Sequence, residues 1–76
     1  MAMTLDMLKT GESARIAAVG GEGILRDRLL DMGLTPGTIV SLRRVAPLGD
    51  PIGITLRGYE LTLRLEDARR IVINVK

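Results

Sequence analysis

The sequence contains no cysteine and no histidine. Those two absences remove disulfides, thiolate nucleophiles, imidazole bases and the commonest ligands of zinc, haem and iron–sulfur clusters. Aromatic residues are nearly missing as well. Tyr59 stands alone, with no Phe or Trp, so a core must be assembled from Leu, Ile, Val, Met and Ala. Small barrels that bind single-stranded nucleic acid stack bases on several aromatic rings, and one ring argues against that role. No run approaches the roughly 20 apolar residues of a membrane helix. Met1 to Thr10 also lacks the basic start and apolar stretch of a signal peptide. The expectation is a cytoplasmic chain without direct membrane insertion, and the lack of cysteine fits a reducing compartment.

What is present is short and aliphatic: 76 residues, 46% of them apolar, with a net charge of +2. This length fits one domain, residues 1–76, that buries roughly 60% of its unfolded surface. The small charge excess forms no basic block, which again tells against electrostatically driven nucleic-acid binding. Arg outnumbers Lys, and Arg is the cation favoured in protein interfaces.

Periodicity predicts mainly strands. Residues 1–3 carry no structural signal and are expected to be disordered. Thr4 to Thr10 starts with a capping residue and stops before Gly11, which predicts a helical turn closed by a left-handed glycine. In Ser13 to Val19, Ala14, Ile16 and Ala18 alternate with Arg15 and Ala17, and Gly20-Gly21 breaks the strand. Leu25, Leu29 and Met32 then fall on one stripe of a helix over Gly23 to Met32, with Gly33 as its C-cap. Leu30 lies about 140° and Ile24 about 100° from Leu25 around that helix, outside the stripe. Thr35-Pro36-Gly37 reads as a turn. Thr38 to Ala46 is β-branched but changes phase, which calls for a bulge near Arg43-Arg44. Pro47 to Pro51 is a rigid loop. Ile52, Ile54 and Leu56 alternate, and after Gly58 so do Tyr59, Leu61, Leu63 and Leu65, as a tight hairpin. Glu66 to Arg69 is a short polar turn before the last strand, Ile71, Ile73 and Val75. Five strands with one inserted α-helix and short helical turns point to a small closed or nearly closed barrel.

Signals for chemistry are sparse. Gly20-Gly21-Glu22-Gly23 precedes a helix, but Glu22 repels phosphate and the spacing matches no nucleotide-binding fingerprint. Asp27 and Asp31 share a helix face, yet two carboxylates do not enclose a cation, which leaves weak or intermolecular divalent metal binding. No catalytic set assembles, so neither an enzyme nor a resident cofactor is expected. Open strand edges leave room for a homo-oligomer.

Arg28-Leu29-Leu30-Asp31-Met32-Gly33-Leu34-Thr35-Pro36-Gly37 resembles the helix-to-turn signature of the FeoA family. Ala46-Pro47-Leu48-Gly49-Asp50-Pro51-Ile52 is similar to its second signature. Leu61-Thr62-Leu63-Arg64, Ala68 and Ile71-Val72-Ile73 are similar to its closing hairpin and strand. The likeness runs from about Leu8 to Val75. It implies an SH3-like barrel and a cytosolic accessory to FeoB, the ferrous iron transporter that carries a G-protein domain. The same fold occurs in DtxR-type repressors, but this sequence has no helix-turn-helix. The expected contact with the transporter, on its cytosolic G-protein domain or its membrane part, uses Ile24, Leu30 and Leu34 as apolar groups and Arg26 and Arg28 as a polar rim. Leu48 and Asp50 in the loop form a second candidate surface. A metal-responsive or self-assembling module and a small-barrel nucleic-acid binder are the alternatives.

Overall fold

Apolar residues at every second position draw most of this chain into strands, and their order decides which faces close on one another. The computed structural model describes residues 3–75. The elements are β1 (Met3–Thr4), a 3-10 turn (Leu5–Met7), β2 (Ser13–Val19), α1 (Gly23–Asp31), β3 (Ile39–Val45), β4 (Ile52–Leu56), β5 (Tyr59–Leu63), α2 (Leu65–Ala68) and β6 (Ile71–Val75). Every strand pairing is antiparallel, in the order β1-β6-β2-β3-β4-β5.

The N-terminal segment differs from expectation. Met3 and Thr4 pair with Ile73 and Val72, adding a sixth strand to the five anticipated. Disorder was expected over 1–3; Met3 is ordered in this ladder, and Met1 and Ala2 lie outside the described residues. Leu5 explains the ordering, since it is completely buried just after the strand. The helical turn is confined to Leu5–Met7. Gly11, at φ +91°, therefore caps no helix. Its N–H bonds to Leu42 O at 2.9 Å while Leu42 N–H bonds to Glu12 O at 3.0 Å, so Gly11 steers the chain alongside β3 and into β2.

Two irregularities set which side chains face inwards. The β2–β6 register shifts between Ile16 and Ala18, so Val19, not Ala18, joins Ala14 and Ile16 in the core. The β3–β4 register shifts between Leu42 and Arg44, at the bulge expected from the phase change, and places Val45 opposite Ile52. The β4–β5 hairpin turns through Arg57 (φ 48°) and Gly58 (φ 86°), the left-handed pair of a type I′ turn. Arg57 has a Cβ and is disfavoured there. Its Nη2 donates to Thr38 Oγ1 at 3.0 Å and lies 3.3 Å from Thr35 Oγ1, tying the hairpin to the chain entering β3. Strand β5 stops at Leu63, and Leu65 opens α2 instead of continuing the alternation.

The largest fully buried side chains are Leu5, Ile16, Leu29, Leu34, Val40, Ile54, Ile71 and Ile73. They come from β2, β3, β4, β6, the 3-10 turn, α1 and the segment after it, so a single aliphatic core joins them. Burial of each contributes about 1.5–3 kcal/mol.

Candidate functional site

Helix α1 follows a glycine-rich corner. Gly20 N–H bonds to Arg70 O at 2.6 Å, and a Cβ at Gly20 would stand 3.1 Å from that oxygen, a tight contact, so the close approach of the two backbones favours glycine. Glu22 is the extended N-cap but makes no side-chain capping bond. One face of the helix is held down by Leu29, which is buried, and by Leu30 and Met32, which pack partly against the core. Arg26 Nε donates to Val19 O at 3.1 Å and clamps the first turn to the end of β2. Ile24 points the other way and is 79% exposed.

The helix ends in a Schellman motif. Gly33 (φ +97°) donates to Leu30 O at 3.0 Å and Leu34 donates to Leu29 O at 3.2 Å, satisfying carbonyls that the helix leaves open. Tyr59 Oη donates to Met32 O from β5. A Cβ on Gly33 would fall 2.7 Å from that hydroxyl oxygen. The motif drives Leu34 fully into the core. Leu34 therefore offers no side chain to a partner, contrary to its expected place on the docking surface.

The loop after β3 is built around a turn in which Gly49 N–H bonds to Ala46 O at 2.7 Å, while Ala46 N–H bonds to Pro51 O at 3.0 Å. Leu48 sits at its tip, 95% exposed. Asp50 has a structural task. Its Oδ1 accepts the N–H of Leu65 at 3.0 Å, supplying the cap that Arg64 does not give to α2. This long-range cap favours starting a helix at Leu65 over continuing β5.

The expected residues thus divide. Ile24 and Leu48 are free apolar tips, Leu30 is half-buried, Arg26 is anchored to backbone and Arg28 is exposed. A groove of about 380 Å³ runs between α1 and the end of β5, with Leu25, Leu29, Met32, Thr62 and Leu63 in its lining and Arg28, Arg64, Glu66 and Asp67 also along it. A second depression, of about 560 Å³, joins Asp50 and Pro51 to Leu65 and Arg69 and shares Arg64 and Glu66 with the first. Helix α1 and the Leu48 loop therefore border one continuous band on either side of α2. Sequence reasoning missed the part of α2 in this band because a four-residue helix leaves almost no periodic signal. Asp27 and Asp31 gather no further carboxylate, and no group of three or more metal-ligating side chains occurs among the described residues. No helix is long and apolar enough to cross a membrane among those residues. Among the described residues the band is lined by aliphatic, threonine, arginine and carboxylate side chains, with no cysteine or histidine in the sequence to act as nucleophile or base.

Residues 3–75 match the FeoA domain model. Over 73 residues the chain is 38% identical to an Fe(2+) transport protein A/Fe(2+) transporter FeoB fusion protein of Porphyromonas gingivalis, covering 96% of this chain and 9% of that one. The chain thus spans less than a tenth of that curated relative. The solution structure of FeoA from Chlorobium tepidum matches with a TM-score of 0.88 and 40% identity, covering 96% of this chain and 70% of that one. The crystal structure of Stenotrophomonas maltophilia FeoA complexed with zinc, described as an SH3 domain protein, matches with a TM-score of 0.84 and 26% identity, covering 95% and 89%. The mainly β barrel here is accordingly SH3-like.

Proposed function

The chain belongs to the FeoA domain family, and on that premise we propose that it binds and modulates a FeoB-type ferrous iron transporter through protein–protein contacts, without catalysing a reaction itself. One observation carries this reading: in the Porphyromonas gingivalis relative a domain 38% identical to this chain shares a polypeptide with FeoB. A covalent tether holds two modules at an effective concentration that reaches the millimolar range, which serves modules that act on one another.

The docking face is the band around α2 together with the two exposed tips on the elements that border it. Ile24 of α1 and Leu48 of the loop after β3 are the apolar anchors outside the grooves, Arg28 and Arg64 line the groove as polar groups, and Leu30 contributes from the side of α1. Exposed apolar tips set among charges are the surface chemistry of a protein contact. The contact acts on the transporter's cytosolic G domain or its membrane part, through its nucleotide cycle or its assembly, and the two parts are told apart by whether the G domain alone binds.

The test is a titration of this chain against its own organism's FeoB-type transporter, full length and as the G domain alone, with and without guanine nucleotide. Saturable binding is expected, and Ile24→Asp and Leu48→Asp should each weaken it about thirtyfold, the loss of one anchor worth about 2 kcal/mol. Circular dichroism should be unchanged for both variants. No binding in any nucleotide state, or binding that both substitutions leave intact, would overturn the reading.

A further inference from the structure

Strand β5 ends the sheet order and pairs with β4 alone among the described residues. In a two-residue hairpin the flanking pair, here Leu56 and Tyr59, is hydrogen-bonded, and alternation gives the following ladder bonds to Leu61 and Leu63. Glu60 and Thr62 thus turn their N–H and C=O groups away from the sheet, and both residues are exposed. Natural edges are blunted by shortness, charge, lysine, proline, a bulge or a covering helix. Strand β5 is short, but Tyr59-Glu60-Leu61-Thr62-Leu63 has no lysine or proline, its register with β4 is unbroken, and α1 borders it across a groove at Thr62 and Leu63 without pairing with its backbone. Its one charge, Glu60, is held over the outer face by Arg44, with Nη2 to Oε2 at 2.8 Å.

We propose that β5 pairs antiparallel with β5 of a second copy of this chain, about a two-fold axis at Leu61. The register follows from the free groups. Glu60 opposite Glu60 sets like charges face to face. Thr62 opposite Thr62 draws in Arg64, whose carbonyl already accepts the N–H groups of Asp67 and Ala68 at the start of α2. Glu60 opposite Thr62 of the second copy uses the outward groups of both residues in both copies, in reciprocal pairs.

Charge complementarity selects the same arrangement. Arg44 pairs with Gly53, and Gly53 with Thr62. The bare glycine lets the arginine lie across it: Arg44 Cγ is 3.0 Å from where a Cβ on Gly53 would stand. Continuing the row Arg44, Gly53, Thr62 across the axis reaches Glu60 of the second copy, so each guanidinium stands between two carboxylates. On the other sheet face Leu61 meets Leu61, and Tyr59 meets Leu63. A contact of two short strands falls below the roughly 1,200 Å² of a stable interface, so this dimer is transient and forms with rising concentration. It shares Thr62 and Leu63 with the groove of the transporter reading but uses neither Ile24 nor Leu48, so the substitutions that test the two readings are different.

Sedimentation velocity across a concentration series, with amide hydrogen exchange at its two ends, tests the pairing. Dimer should accumulate with concentration while the Glu60 and Thr62 amides slow in step. Thr62→Pro deletes an outward N–H without touching a bond to β4 and should raise the dimer dissociation constant about tenfold or more. Glu60→Arg should weaken pairing, and Glu60→Arg with Arg44→Glu should restore it, a rescue that no loss of fold can imitate. A monomer at every concentration, or a dimer indifferent to Thr62→Pro with Glu60 and Thr62 still exchanging freely, would overturn the proposal.

Discussion

Strands β4 and β5 share one hairpin and one register, yet β4 buries every residue except Thr55 whereas β5 buries Leu63 alone. Their sequences, Ile-Gly-Ile-Thr-Leu and Tyr-Glu-Leu-Thr-Leu, carry the same period-two signal. The difference is position. Strand β4 is flanked by β3 and β5, and both its backbone edges are used; β5 has a neighbour on one side among the described residues. One strand of the hairpin serves the core, and the other leaves side chains and backbone available for recognition.

The pair Ile54 and Leu61, directly opposite each other in the ladder, breaks this comparison most sharply. Ile54 is fully buried and Leu61 only partly so. Ile54→Ala should cost about 3 kcal/mol in a urea titration and Leu61→Ala about 1 kcal/mol, since the cavity left at a half-open site can collapse or fill with water. Equal losses would mean that β5 is as much a core strand as β4.

A smaller effect, about 2 kcal/mol, is expected from Gly33→Ala, where a left-handed φ of +97° and the Tyr59 hydroxyl 2.7 Å from the new carbon both oppose the methyl group. Because Tyr59 belongs to β5, this substitution should loosen the edge strand before the core. Hydrogen exchange should show faster opening in β5 and the end of α1 than in β2 or β4.

The smallest effect belongs to Arg44→Ala. Its ion pair with Glu60 joins side chains that are 72% and 53% exposed, so the stability change should stay at about 0.5 kcal/mol or less. Thermal unfolding of the monomer should barely move. A large loss would make Arg44 a structural clamp on the edge instead of a surface charge.

Much of the fold was legible because strand alternation, the phase change at Arg43-Arg44 and the glycine stops are local signals. The illegible parts arise from long-range terms. Ala18 was expected inside because alternation was carried past Ile16, but the shift against β6 exchanges it for Val19. Leu65 continued the apolar pattern of β5, yet Asp50, fifteen positions earlier, caps the helix that begins there. Leu34 looked like a surface contact beyond the helix stripe, although a glycine-ended helix places its next apolar residue against the preceding turn. Ile24 and Leu48 were legible as candidates because an apolar residue outside a stripe, or at the tip of a Pro–Gly loop, has no evident core to join. Arg57 gave no warning, since an arginine at a left-handed position is read from neither charge nor period.

The bond from Tyr59 to Met32 O has an optical consequence. The chain has one tyrosine and no tryptophan, so its near-ultraviolet absorbance and intrinsic emission arise from this single phenol. A tyrosine hydroxyl bound to a carbonyl at the end of α1 senses whether the helix stays seated on β5. Emission from the unlabelled protein therefore tracks that one junction, and any ligand that lifts α1 from the barrel will be seen as a change in brightness.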